Sequence, residues 1–404
     1  MAGSRNFGLV EDAQTSKKII GIFGRMDSLF YQDFRLGVLG GGQLGRMLIQ
    51  AGIDLNIHFS VLDPDPQAPC RQLADFTTGK LTDYDTVMQF GASCDLITIE
   101  IENVNTEALH DLVQMGKKVY PQPHVIQLIQ DKRAQKKFFL DNKIPTAGFI
   151  LTASKEEVKQ NQSFFPCVQK LGKEGYDGRG VQVLRRAEDL DKAFDAPGLL
   201  EEWIDFEKEI AVIVARDAEG QVVAYPPVEM VFHPEKNLVE YLFAPAQITD
   251  ALATAADAIA KEVINKLKMV GLLAVEMFVT RQGKILVNEV APRPHNSGHH
   301  TIEANATSQY QQHLRAILGL PLGSTRALTL GAMVNLLGAD GHTGKARYTG
   351  LEKVLALEGV HVHLYGKKLT KPFRKMGHVT IVDQNMESLN EKAKFVKQHF
   401  KITT

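Results

Sequence analysis

The sequence is poor in cysteine and in long apolar runs, and neither sign of charge prevails. Its three cysteines, Cys70, Cys94 and Cys167, lie far apart, and none stands in a C-x-x-C or Cys/His spacing. Neither a disulfide framework nor a zinc site is indicated, and buried thiols in a reducing compartment are expected. No stretch approaches the roughly 18–20 apolar residues that span a bilayer. Lys plus Arg number 46 against 47 Asp plus Glu, a formal net charge of -1 over 404 residues. That balance gives no reason to expect a nucleic-acid or membrane partner, so any basic cluster is a local site. There is no Gly-x-Ser-x-Gly, no metalloprotease helix and no Walker A loop.

What is present is an ordinary globular composition, 44% hydrophobic and 23% charged, with length for two to four domains. Residues 1–33 carry one apolar patch, Ile19-Ile20-Gly21-Ile22-Phe23, too short and too poorly flanked for a signal peptide. They are taken as an N-terminal extension. From Phe34 strands alternate with helices, as in a parallel sheet. Around residue 130 the pattern changes to a charged amphipathic helix from Lys132 to Leu140 followed by short β-branched strands. From 326 short strands return, with a closing helix near 386–399.

Several motifs carry chemistry. Gly40-x-Gly42-x-x-Gly45 follows a strand and opens a helix, with Asp63 at a strand end about twenty residues on. Such a turn either holds a phosphate on backbone N–H groups, as in dinucleotide enzymes, or merely permits a tight strand–helix connection. Glu100 and Glu102 follow the strand 95–99 at its carboxyl end and share one face if the strand continues. Gly175-Tyr176-Asp177-Gly178-Arg179-Gly180, just after Lys170, suits a loop folded over polyphosphate. The strands 272–279 and 284–290 form a hairpin. A four-residue loop at 281–284 pairs 280 with 285 and so sets Glu276 opposite Glu289. Two like charges about 5 Å apart call for a hard cation between them, and Mg²⁺ carrying nucleotide phosphates is the usual case. Arg293, His295 and Asn296 follow within a few residues and could hold an anion beside that metal. Tyr365-Gly366-Lys367-Lys368 with Arg374 is a local basic cluster suited to a phosphate monoester.

Together these residues resemble the ATP-grasp superfamily, and within it the N5-carboxyaminoimidazole ribonucleotide synthetases, the ATPase subunits of phosphoribosylaminoimidazole carboxylase. The resemblance covers roughly residues 34 to 400. It implies α/β and α+β multidomain architecture. After the extension 1–33 come a Rossmann-like pre-ATP-grasp domain (34–129), an ATP-grasp domain (130–325) and a small β-rich C-terminal domain (326–404). It implies a ligase that carboxylates 5-aminoimidazole ribonucleotide with bicarbonate, using ATP and Mg²⁺, by way of carboxyphosphate. The ATP contacts it implies are Lys132, Lys170, Gly175, Tyr176, Gly178, Arg179, Gly180, Glu201, Ile204, Glu209 and Asn288. Glu276 and Glu289 fall on the metal ligands. Arg293, His295, Asn296 and Asp177 fall on the catalytic positions. Gln43, Leu44, Glu100, Tyr176, Asp177, Lys367 and Arg374 fall on the substrate. A cytoplasmic homodimer with an N5-CAIR mutase as functional partner is also implied. Two departures stand out: Glu174 and Phe373 occupy places where the family often has glycine. His233 is a candidate for the histidine the family sets near the nucleotide.

A dinucleotide oxidoreductase built on Gly40–Gly45 and Asp63, an ATP-grasp enzyme for another ribonucleotide or for biotin, and a non-catalytic relative are the competing readings.

Overall fold

The computed structural model describes residues 34–173, 180–232 and 239–404. The N-terminal extension, the loop residues Gly175, Tyr176, Asp177, Gly178 and Arg179, and His233 lie outside the described residues.

The first unit is a parallel sheet of β1 (Arg35–Leu39), β2 (His58–Asp63), β3 (Asp75–Thr78), β4 (Leu96–Ile99) and β5 (Lys118–Val119), in the order β3-β2-β1-β4-β5. Leu36, Val38, Leu39, Leu62, Ile97 and Ile99 are wholly buried, as expected of strands covered on both faces. The order reverses between β1 and β4, so their carboxyl ends border a crevice. Helix α1 (Gln43–Ile53) starts there.

The central and C-terminal parts share a nine-stranded antiparallel sheet. It begins with Ile285–Ala291 and Gly271–Thr280. It continues through Phe206–Arg216, Val228–Phe232 and Val239–Ala244 to Leu330–Leu337, Lys375–Asp383 and Val360–Leu364, and the ninth strand, Val222–Ala224, pairs with the end of Phe206–Arg216. Val239–Ala244 bonds directly to Leu330–Leu337, so the C-terminal strands extend the central sheet. Helix Asp250–Leu267, capped by the Thr249 hydroxyl, packs Ala256, Ala260, Val263 and Ile264 onto that sheet. A separate four-stranded antiparallel sheet has the order Phe149–Thr152, Gly198–Glu202, Cys167–Leu171, Val181–Leu184. A cleft lies between it and the edge of the large sheet, bordered by helix Lys132–Asp141.

Helix Gln309–Leu318, with a Ser308/Gln311 capping box, joins the first unit to the large sheet. Its His313 accepts from the Leu272 N–H at Nδ1 (3.2 Å). The proton must then sit on Nε2, which donates to Thr98 Oγ1 at 2.9 Å. The cysteines are buried and free, as expected, and burial pushes Cys94 and Cys167 up to about 11.

The hairpin corrects one expectation and preserves its consequence. Thr280 pairs with Lys284, so the turn has three residues, 281–283, with Gly283 at φ +73°. Val279 therefore faces Ile285, one position off the expected register. The register then shifts between Glu276 and Met277, leaving Asn288 as an extra residue, and Glu276 again faces Glu289. The bulge lets the neighbours Asn288 and Glu289 both reach the cleft, which a regular strand forbids.

Candidate active site

The cleft is walled by Lys132, Gln135 and Lys136 from the helix, Lys170 and Leu199 from the small sheet, and Asn288 and Glu289 from the large one. Helix Lys132–Asp141 is capped by Asp131, which fixes the first turn so that Lys132 and Lys136, one turn apart, point the same way. Lys132 Nζ is paired with Glu289. Lys170 Nζ donates to Asn288 Oδ1 at 2.8 Å and is also paired with Glu201. Lys136 is paired with the other Glu201 oxygen and donates to Thr146 Oγ1 at 2.5 Å.

The carboxylates differ sharply in proton affinity. Lys132 holds Glu289 down at about 2, against burial. Burial, then the charges of Glu289 and Glu209, push Glu276 well above the carboxylate range. Burial and Glu289 raise Glu209 to about 8. Burial also brings Lys136 down to about 8 despite Glu201. Among the described residues no group of three or more His, Cys, Asp or Glu is arranged to hold a metal alone. Two opposed carboxylates, one driven toward its neutral form by burial and by its neighbour, are a donor set that a divalent cation would relieve. The residues fit a magnesium ion, which Glu276 and Glu289 would hold together.

The segment after Glu289 closes the site. The Ser297 N–H points at His295 Nδ1 (3.3 Å), and Ser297 Oγ lies 2.9 Å from the same atom. Nδ1 is thus an acceptor and Nε2 carries the proton, 3.3 Å from Glu276 Oε1. Arg293 Nε lies 2.9 Å from Glu102 Oε1. The Gln309 carboxamide holds the His295 backbone on both sides, accepting its N–H (2.9 Å) and donating to its carbonyl (2.8 Å). Asn296 is paired with Asn335.

The crevice of the parallel sheet decides between the two readings of the glycine turn. The amides of Gly42 and Gly45 donate to the two oxygens of Glu100, at 2.7 and 2.6 Å. Gly41 donates to Asp63 at 2.7 Å. The positions a pyrophosphate would take are filled by the chain's own carboxylates. A Cβ on Gly40 or Gly42 would come within 2.3 Å of the Glu100 side chain, which is why these places are glycine. Strand β4 ends at Ile99, so Glu100 and Glu102 share no strand face. Glu100 holds the turn while Glu102 meets Arg293. The Glu201 carboxylate is buried between Lys136 and Lys170 at the end of strand Gly198–Glu202. Leu44 packs into the core of the first unit. Ile204 lies in the connection between Gly198–Glu202 and Phe206–Arg216. Gly180 closes the described side of its loop at φ +71°.

The basic cluster borders an open cavity of about 590 Å³, lined by Gln67, Lys345, Tyr348, Leu364, Lys367 and Leu369 among others. Lys367 Nζ donates to Gln43 Oε1 (2.9 Å) and to the Lys375 carbonyl (2.8 Å), joining two residues 324 positions apart. Arg374 donates to the Leu369 carbonyl at the same rim (3.0 Å). Phe373 holds the left-handed φ of +63° that glycine would adopt freely. Lys136, Gln309 and Asn335 were missed in the sequence. Lys136 shares a helical face with Lys132, and Asn335 is a lone amide in an apolar run, so both left a signal; Gln309 left none.

Family models for a ribonucleotide synthetase preATP-grasp domain, an ATP-grasp domain and a phosphoribosylaminoimidazole carboxylase C-terminal domain match residues 34–130, 137–310 and 331–392. An N5-carboxyaminoimidazole ribonucleotide synthase of Synechococcus elongatus is 40% identical over 86% of this chain and 89% of its own. The chain belongs to the N5-carboxyaminoimidazole ribonucleotide synthase family. The synthetase structure from Thermotoga maritima superposes with a TM-score of 0.85 at 41% identity, covering 92% of this chain and 99% of that one. The Aspergillus clavatus synthase, solved with ADP and 5-aminoimidazole ribonucleotide, gives a TM-score of 0.82 at 32% identity over 91% and 98%. The phosphoribosylaminoimidazole carboxylase of Ogataea methanolica is 38% identical over 90% of this chain. The chain spans 65–69% of the length of that and the other fungal carboxylases it matches. The chain is thus an ATP-grasp ligase, and the ATP-grasp match takes in Lys170, Leu199, Asn288 and Glu289 of the cleft wall. No helix among the described residues is long and apolar enough to cross a membrane.

Proposed function

We propose that the chain carboxylates 5-aminoimidazole ribonucleotide on its exocyclic amine, using bicarbonate and MgATP and releasing ADP and phosphate. The observation that carries this is the opposition of Glu276 and Glu289 across two strands, flanked by Lys132, Lys170 and the 293–296 segment. Lys132 and Lys170 hold the triphosphate, and Asn288 orients Lys170. A magnesium ion held by Glu276 and Glu289 would supply charge neutralisation at the phosphates. A bicarbonate oxygen attacks the γ-phosphorus, the bond to the ADP oxygen breaks, and carboxyphosphate forms. Arg293 and the His295 Nε2–H hold that anion. The amine nitrogen then attacks the carboxyl carbon, phosphate leaves, and the amine's proton passes to solvent or phosphate. Lys367, fixed by Gln43, and Arg374 bind the ribonucleotide phosphate and so position the amine.

The same reading takes 34–129, 130–325 and 326–404 as domains. The β3-β2-β1-β4-β5 order supports a Rossmann-like first domain. It also takes the protein as a cytoplasmic homodimer whose carbamate product passes to a mutase. The test is ADP release with the ribonucleotide, with and without bicarbonate. Release that depends on both supports the reading, and release indifferent to the ribonucleotide sinks it.

A further inference from the structure

Asn335 is the single polar side chain in the run Gly331-Ala332-Met333-Val334-Asn335-Leu336-Leu337. It sits inside strand Leu330–Leu337 and is 7% exposed; Asn296, beside the candidate metal ligands, is 9% exposed. The two carboxamides exchange hydrogen bonds. Asn296 Nδ2 donates to Asn335 Oδ1 at 2.9 Å, and Asn335 Nδ2 donates to Asn296 Oδ1 at 2.8 Å. Asn335 Nδ2 also donates to the Val239 carbonyl at 2.8 Å.

That third bond fixes the other two. A carbonyl oxygen can only accept, so the Asn335 atom facing Val239 must be the amide nitrogen. With Asn335 locked, a flipped Asn296 would set N–H against N–H and oxygen against oxygen. Only one orientation of Asn296 survives, and it leaves one N–H and one oxygen lone pair for whatever occupies the site. The strand that does this also borders the substrate side. Asn335 stands opposite His378 on strand Lys375–Asp383. His378 Nδ1 is 2.9 Å from Tyr365 Oη, two residues before Lys367.

We propose that Asn335 is a positioning residue for the carboxyl-transfer step. It sets the amide face that Asn296 turns toward the carboxyphosphate and the attacking amine. Its loss should damage transfer more than nucleotide binding, so that ATP is cleaved without the carbamate being formed. The proposal rests on the function assigned above.

Two variants test it, each followed by ADP release and carbamate formation in parallel. Asn335→Leu removes all three bonds. Asn335→Asp has nearly the same shape, still accepts from Asn296 Nδ2, and loses both donations; it carries the test if the leucine variant does not fold. Carbamate formation should fall about 10- to 100-fold, while the KM for ATP stays within about twofold of the parent. The ratio of ADP to carbamate should rise well above its parental value. In an Asn296→Ala background, Asn335→Asp should move that ratio no further, because Asn335 acts through Asn296. An unchanged ratio in the single variants, or an additive effect in the double variant, overturns the proposal. A parent protein whose ADP release ignores the ribonucleotide overturns the functional reading instead, so the two failures are distinguishable.

Discussion

At the scale of single residues, the site depends on charges that would repel each other without something between them. Glu276 and Glu289 face each other, and Lys132 satisfies only Glu289. Replacing Glu289 with Ala removes one of the two carboxylates and the partner of Lys132. ADP formation should fall by at least about 10³-fold while circular dichroism and the melting transition persist. Surviving turnover would show that the nucleotide's metal is held elsewhere. On the proposed reading Lys367 acts on the other substrate. Lys367→Ala should raise the KM for the ribonucleotide about 10- to 100-fold and leave that for ATP unchanged. An effect confined to ATP would contradict the placement of the phosphate site. Both glutamates and Lys367 were legible in the sequence. Asn335 was less so, because a lone amide in a strand announces burial but not its partner.

At the scale of elements, the strand–helix turn at 40–45 shows how a motif can be right and its usual ligand wrong. The glycines do bring backbone N–H groups together at the start of α1, but Glu100 occupies them. Glu100→Ala should therefore act on stability, leaving two amide donors without their carboxylate at a cost of about 2 kcal/mol. Urea unfolding measures this, and a destabilisation indistinguishable from zero would refute the capping role. The hairpin teaches a related lesson. Its turn is one residue shorter than the pattern suggested, and the bulge at Asn288 restores the lost position. Alternating hydrophobicity specifies which face a residue takes, but a bulge changes the count without leaving a mark in the pattern.

At the scale of the whole molecule, a few buried polar side chains join the units. His313 links the parallel sheet to the large sheet through Thr98 and Leu272, and burial depresses its pKa to about 3. An exposed histidine in the unfolded chain titrates near 6.5. The folded pKa is the lower one, so this contribution is fully present above about pH 6.5 and is lost as the pH falls toward 3. Burial likewise lowers His300 to about 4, and His299 and His378 shift in the same direction. Raised carboxyls at Glu209 and Glu276 work in the opposite sense, so a difference measurement isolates the joint. Between pH 6 and 4 the stability of His313→Asn should fall less steeply than that of the parent, by about 1.4 kcal/mol per pH unit. Parallel pH profiles would mean that His313 is not held neutral between the sheets.

The sequence by itself determined the order of units, the acidic pair, the polar segment 293–296 beside it and the basic cluster, because each is local or set by hairpin pairing. Residues close in the chain have few ways to be arranged, so spacing alone carried that information. Only the tertiary structure decided which carboxylate fills the glycine turn and how the C-terminal strands continue the central sheet. It also decided that Gln43 meets Lys367 across 324 positions and that Asn335 orients Asn296. Those pairings join segments distant in the chain, and burial leaves each polar group needing a partner that no local pattern names.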